Sequence, residues 1–163
     1  MNFYTYTAKL DSKRGINSVY DGDTISKLEV DLGFSIKYIN SFRLIGIDTP
    51  EIRTKSKIEK IKGYQAREML RLMIGERALA IRSITKKGTG KYGRLLGELY
   101  IHQGVELDDE GNIINHNWLN AGNKLIECGL AVVYDGGTKT KDWSEDQNKI
   151  EEIDEMINKI KEG

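Results

Sequence analysis

Three short segments gather residue types that can do chemistry on a charged substrate. Asp21-Gly22-Asp23-Thr24 sets a carboxylate on either side of a glycine. A tight turn there can aim both at one spot, and hard divalent cations take such oxygen ligands. Asp-Gly is also a common turn pair, so a plain surface turn competes with the metal reading. An EF-hand loop is excluded, because Ile25 and Ser26 stand where it needs a third ligand and a glycine.

The second segment, Phe42-Arg43-Leu44-Ile45-Gly46-Ile47-Asp48-Thr49-Pro50-Glu51, is an apolar strand carrying one arginine and ending in two acids. Pro50, the only proline, fixes φ and biases Thr49 toward an extended backbone. Asp48 and Glu51 are thereby held in fixed relation, with the Thr49 carbonyl free to bind. A strand-ending turn with a surface arginine is the alternative. The third segment, Lys86-Lys87-Gly88-Thr89-Gly90-Lys91-Tyr92-Gly93-Arg94, contains a G-x-G-x-x-G spacing. No βαβ unit surrounds it, and Lys91 is followed by Tyr92 instead of Ser or Thr, so neither a dinucleotide fingerprint nor a Walker loop fits. It reads as a basic loop entering a strand, with Tyr92 offering a face for a base or sugar.

Together the segments match what phosphodiester hydrolysis requires: a cation, a base for water, and fixed positive groups for the charge that builds up. Asp23 and Asp48 supply a cation site and Glu51 a base. Arg43 and Arg94 are permanently charged forks suited to phosphate.

These residues need elements to position them. Alternating runs predict short antiparallel strands over Phe3–Ala8, Ile16–Tyr20, Thr24–Asp31, Ile36–Ile47, Ala78–Ile84 and Leu95–His102. Asp108 to Asn112 reads as a hairpin turn with Ile113–Trp118 returning. Ala66, Met69, Leu70, Met73 and Ile74 share one helical face, stopped by Gly75. A short helix fits Ala121–Cys128, and a last strand Ala131–Tyr134. After a turn-rich linker, capping boxes at Asp142/Glu145 and Ser144/Gln147 open a helix with the stripe Trp143, Ile150, Ile153, Ile157 and Ile160. Strands interrupted by one helix, with more helix at the end, predict an α+β, mainly β chain: a five-stranded OB-fold barrel with about three helices.

Composition sets bounds. The 163 residues hold 39% apolar and 31% charged residues, enough for a core and unlike a disordered chain. Cys128 is the only cysteine, so no internal disulfide can form, and it reads as a small buried hydrophobe. His102 and His116 lack a ligand set and read as surface or packing residues. No apolar run is long enough to span a membrane, and the N-terminus lacks a signal-like pattern, so a cytoplasmic protein without membrane contact is expected.

The ordered set Asp21-Gly22-Asp23-Thr24, Phe42-Arg43, Ile47-Asp48-Thr49-Pro50-Glu51, Lys91-Tyr92-Gly93-Arg94 and Gly129-Leu130-Ala131 resembles the staphylococcal nuclease (thermonuclease) family, over roughly Ile16 to Tyr134. The resemblance implies an OB barrel and a calcium-dependent endonuclease that hydrolyses DNA and RNA, breaking the 5′ P–O bond to leave 3′-phosphates. It implies calcium at Asp23, Asp48 and the Thr49 carbonyl, with Asp21 a nearby supporting acid. Glu51 falls on the general base or orienter of water, and Arg43 and Arg94 on the phosphate-binding arginines. Lys91 and Tyr92 fall near the terminal phosphate, and Tyr134 on a tyrosine beside the substrate. Residues 1–136 are expected to form the nuclease domain, with 137–163 a linker and helix packed on it. A monomer is expected, with the isoleucine stripe as the alternative, a weak dimer seam. The competing class is an inactive OB-fold module that only binds nucleic acid. The chain departs from the family's secreted prototype in a longer hairpin at Asp31–Phe34 and an acidic insertion at 103–119.

The net charge is zero, 25 basic against 25 acidic residues, which by itself argues against a polyanionic partner. The layout argues otherwise. Arg53–Lys62 carries five bases and one acid and Arg82–Arg94 five bases and none, while Glu106–Glu110 holds four acids and no base. Steering follows the local field.

Overall fold

The structure is a computed structural model that describes residues 3–84, 91–145 and 149–163. Strands β1 (Phe3–Leu10), β2 (Thr24–Asp31) and β3 (Lys37–Leu44) form an antiparallel meander. A two-residue strand β4 (Ile47–Asp48) leads to helix α1 (Lys57–Ile74). Then follow β5 (Leu79–Ile84), β6 (Leu95–Leu107), β7 (Ile113–Asn120), α2 (Ala121–Glu127), β8 (Val132–Val133) and α3 (Ile150–Glu162). β5 lies between β1 and β6, and a parallel pairing of β3 with β6, Phe42 opposite Leu95 to Leu44 opposite Gly97, closes β1, β2, β3, β6 and β5 into a ring of five strands. This mainly β, α+β arrangement with three helices agrees with the OB-like expectation.

Alternation fills the ring. Ile25, Leu28 and Val30 of β2, Phe42 and Leu44 of β3, and Leu99 and Ile101 of β6 are all buried. Ile25 and Leu28, three apart, both face inward because the β2–β3 register shifts between them, and a bulge resets the pleat. α1 lays Ala66, Met69, Leu70 and Ile74 on this core, and α2 adds Ala121 and Leu125. Ser56 caps α1 by accepting from the Glu59 N–H at 3.2 Å. β6 and β7 form a long hairpin on the outer edge of the ring, its turn held by Asp108 Oδ1 accepting from the Glu110 and Asn112 backbone. His102 and His116 face each other across that hairpin, ring nitrogens 3.0 Å apart.

Two expectations are corrected. Ile16–Tyr20 is no strand: Gly15–Ser18 forms a 3-10 turn fastened by Asp11, and only Val19 pairs, with Ile25. The last helix does not begin at Trp143. Trp143–Glu145 is a separate 3-10 turn in which Asp142 Oδ1 accepts from the Ser144 N–H and hydroxyl, while Gln147 lies outside the described residues. Trp143 instead covers Lys62, whose ammonium sits 5.1 Å from the ring centroid. The stripe thus shortens to Ile153 and Ile157 in the core, with Ile160 exposed. α3 docks on α1, where buried Gln65 donates to the Ile150 carbonyl at 2.9 Å and to Asp154 at 2.7 Å.

Ring closure depends on Gly97. A Cβ there would stand 2.6 Å from the Arg82 carbonyl oxygen and 3.2 Å from the Phe42 ring. Gly97→Ala must push two backbone strands apart, and it is expected to cost about 2–3 kcal/mol of stability, read from urea denaturation. An unchanged midpoint would show that the ring tolerates the wider spacing.

Candidate active site

The acidic turn is built by its neighbours in sequence. Asp21 Oδ1 accepts the Asp23 N–H at 3.2 Å, and the Tyr20 N–H reaches the Thr24 carbonyl at 2.9 Å. The Asp23 carbonyl accepts from the Leu44 N–H at 2.8 Å, which fixes the turn to β3. Because Thr24 pairs with Arg43 across the ladder, the guanidinium arrives beside the turn, and Nη1 donates to Asp23 Oδ1 at 2.7 Å. Thr24 Oγ1 donates to the same oxygen at 2.9 Å.

The second acid group comes from β4. Asp48 pairs with Val132 of β8 and is buried, as are Thr49 and Pro50. The strap that follows is tied to α1. Glu59 in the helix's first turn accepts the Glu51 N–H at 3.2 Å and the Thr54 hydroxyl at 2.7 Å. Small residues let the pieces meet. A Cβ on Gly22 would lie 2.7 Å from the Ala66 Cβ and 3.0 Å from Thr49 Cγ2. One on Gly63 would lie 3.0 Å from the Pro50 carbonyl oxygen and the Glu51 and Ile52 backbone. The acidic turn and the strap therefore press on the same face of α1 and on each other.

Sequence reasoning missed Lys139. Its ammonium lies 2.7 Å from Asp48 Oδ1 and 2.8 Å from Glu51 Oε1. Burial opposes its charge most, yet hydrogen bonding and the charges of Asp48 and Glu51 hold its pKa above the ordinary lysine value. Nothing local marks Lys139 among the polar residues of its linker. Glu59 was missed as well, although Ser56-x-x-Glu59 has capping-box spacing.

Arg94 enters β6 behind the 3-10 turn Lys91–Gly93, which Asn40 fastens to β3 by donating to the Gly93 carbonyl at 3.1 Å. Its Nε is buried with no hydrogen-bond partner among the described residues. In the β3–β6 register Arg43 stands level with Leu96, two residues on from Arg94, so both arginines point to one face. That face opens into a pocket of about 300 Å³ lined by Arg43, Leu44, Ile45, Leu96 and Tyr134 among others. Tyr92 is 93% exposed at φ 67°, and Lys86 to Gly90 and the Lys91 side chain lie outside the described residues.

The donor set suits a hard divalent cation such as calcium, being all oxygen and anionic. Asp23 and Asp48 are each only 3% exposed, and apart from the Lys139 ion pair Asp48 Oδ1 has no hydrogen-bond partner among the described residues. Among the described residues no three acids are gathered round one point as a finished cage. The cations that meet the carboxylates are Arg43 at Asp23 and Lys139 at Asp48 and Glu51.

A family model described as staphylococcal nuclease homologue matches residues 41–163 of the 163-residue chain. The match includes Arg43, Asp48, Thr49, Glu51 and Arg94, and starts after Asp21 and Asp23, which enter the site through the Gly22–Thr49 contact. No curated protein matches the chain.

Crowding of acids has a measurable cost. Burial first, and then the Asp23 charge, push the Asp21 pKa up from 3.8 to about 7. Between those values the unfolded chain has released a proton that the folded chain keeps, so stability falls as pH rises from 3.8 to about 7 and levels off above. Asp21→Asn removes that loss. In chelator-containing buffer it is expected to gain about 2–4 kcal/mol at pH 8 and little at pH 4, by urea denaturation at both values. An equal gain at both would mean that ionisation of Asp21 is not its source.

Proposed function

The chain belongs to the staphylococcal nuclease homologues, and from that membership and its site we propose a calcium-dependent endonuclease acting on DNA and RNA. In this reading water attacks phosphorus and the 5′ P–O bond breaks, leaving 3′-phosphates. The observation that carries it is the packing of the acidic turn against Thr49 and α1 at Gly22, with Arg43 bonded to buried Asp23 and buried Asp48 adjoining Thr49.

Asp23, Asp48 and the Thr49 carbonyl would hold the calcium, with Asp21 beside them. Calcium bound there supplies Lewis-acid polarisation of a phosphoryl oxygen. The remaining work falls to the chain itself. Glu51, hung by its N–H on Glu59, is placed to take or orient the proton of the attacking water. Arg43 spends one N–H on Asp23 and keeps others for a phosphate oxygen. Arg94, its Nε unpartnered among the described residues, grips the same group from the next strand. Both guanidiniums stabilise the charge that gathers on the phosphoryl oxygens. The pocket between Leu44, Leu96 and Tyr134 takes the attached nucleoside, and Tyr92, which is exposed, and its neighbour in sequence Lys91 serve the terminal phosphate. None of the described helices is long and apolar enough to cross a membrane.

Cleavage of single-stranded DNA and RNA in calcium, abolished by chelation, is the expected result. Glu51→Gln and Arg94→Ala should each slow it by about 100- to 1,000-fold with unchanged circular dichroism. A protein inert in calcium, magnesium and manganese but still retarding single strands in a gel would be a binding module instead.

A further inference from the structure

The segment after β8 does not run straight on toward α3. The Tyr134 hydroxyl donates to the Gly137 carbonyl at 2.7 Å, and the Gly137 N–H donates to Asp135 Oδ1 at 2.8 Å, so the chain folds back on itself. The turn carries Lys139 to Asp48 and Glu51. The Asp48 side chain is 4% exposed and that of Lys139 is 42% exposed, so the ammonium closes the outer side of a sealed carboxylate.

Lys139 makes a hydrogen bond to Glu51 Oε1 at 2.8 Å. Asp48 Oδ1 lies 2.7 Å from the same ammonium in a close ion pair and has no other hydrogen-bond partner among the described residues. A lysine ammonium so held is a counter-ion on a flexible stem. A divalent cation carries twice the charge, and bound at Asp48 it would repel an ammonium held 2.7 Å from that carboxylate. The same segment supplies Tyr134, Asp135 and Gly136 to the wall of the pocket beside Arg43.

We propose that Lys139 is a tethered counter-ion that competes with the divalent cation for Asp48, so that metal loading expels Lys139, releases Glu51 and frees the stretch 134–136 that walls the pocket. The proposal rests on Asp48 being a metal ligand. It makes Lys139 a setting residue for metal affinity, and it couples the metal to the pocket through one short segment.

Calcium titration calorimetry on the full chain tests it, comparing the natural protein with Lys139→Met and Lys139→Arg. Lys139→Met is expected to bind calcium about ten-fold more tightly, and Lys139→Arg, which keeps the charge, close to the natural protein. In the natural protein, trypsin cleavage after Lys139, followed by mass spectrometry, should be faster in calcium than in chelator. Equal calcium affinity in all three, or cleavage indifferent to calcium, overturns the competition while leaving the metal site standing. Absence of calcium binding in all three overturns both.

Discussion

A carboxylate removed from water keeps its charge only while cations or hydrogen-bond donors face it, and the candidate site is arranged round that demand. Asp23 meets it with Arg43, which the β2–β3 register delivers without any further device. Asp48 meets it with Lys139, from the far end of the described site in sequence. Asp21 meets it the other way, by holding its proton up to about 7. The three acids therefore find three different solutions.

Helix α1 makes the crowding feasible. Gly22 and Ala66 approach until no side chain fits between them, and Gly63 leaves room for the backbone of the strap. Larger residues at these positions would bury more apolar area, but would separate the acidic turn from Thr49. The helix also reaches back through Glu59 to the Glu51 N–H, so a first-turn acid, suited to the helix dipole, serves as a bracket for the strap. One helix thus sets both halves of the site. Its other flank is occupied by α3, through Gln65 and the isoleucines Ile153 and Ile157.

What was legible in the sequence was local. Asp-Gly-Asp-Thr, the strand carrying Arg43 and the Asp-Thr-Pro-Glu strap each take their shape from adjacent residues, and the α1 stripe and the β6–β7 turn did so too. What was hidden depends on distant pairing. The parallel contact of β3 with β6 closes the ring between segments more than fifty residues apart, and no periodicity announces it. Lys139 reaches Glu51 across 88 residues. The reading of Ile16–Tyr20 as a strand failed because Asp11 fastens a 3-10 turn against an apolar pattern too short to resist. Trp143 was drawn into a helical stripe by spacing alone, when its ring serves to cover the buried Lys62.

The charge balance gains meaning from the same geometry. Runs of basic residues overstate the positive surface, since Lys62 is fully buried under Trp143 and Arg82 is paired with Glu98. The acids are displaced as well. Glu106 and Asp108 to Glu110 sit at the tip of the β6–β7 hairpin, while Arg94 stands at the opposite end of β6. Twelve residues at the strand rise put about 40 Å of chain between those ends. The screening length in physiological salt is about 8 Å, so the acidic tip weighs little on the field at Arg43 and Arg94. In a chain with no net charge, the acids of the hairpin tip and the arginines Arg43 and Arg94 are in this way held apart by the length of one strand.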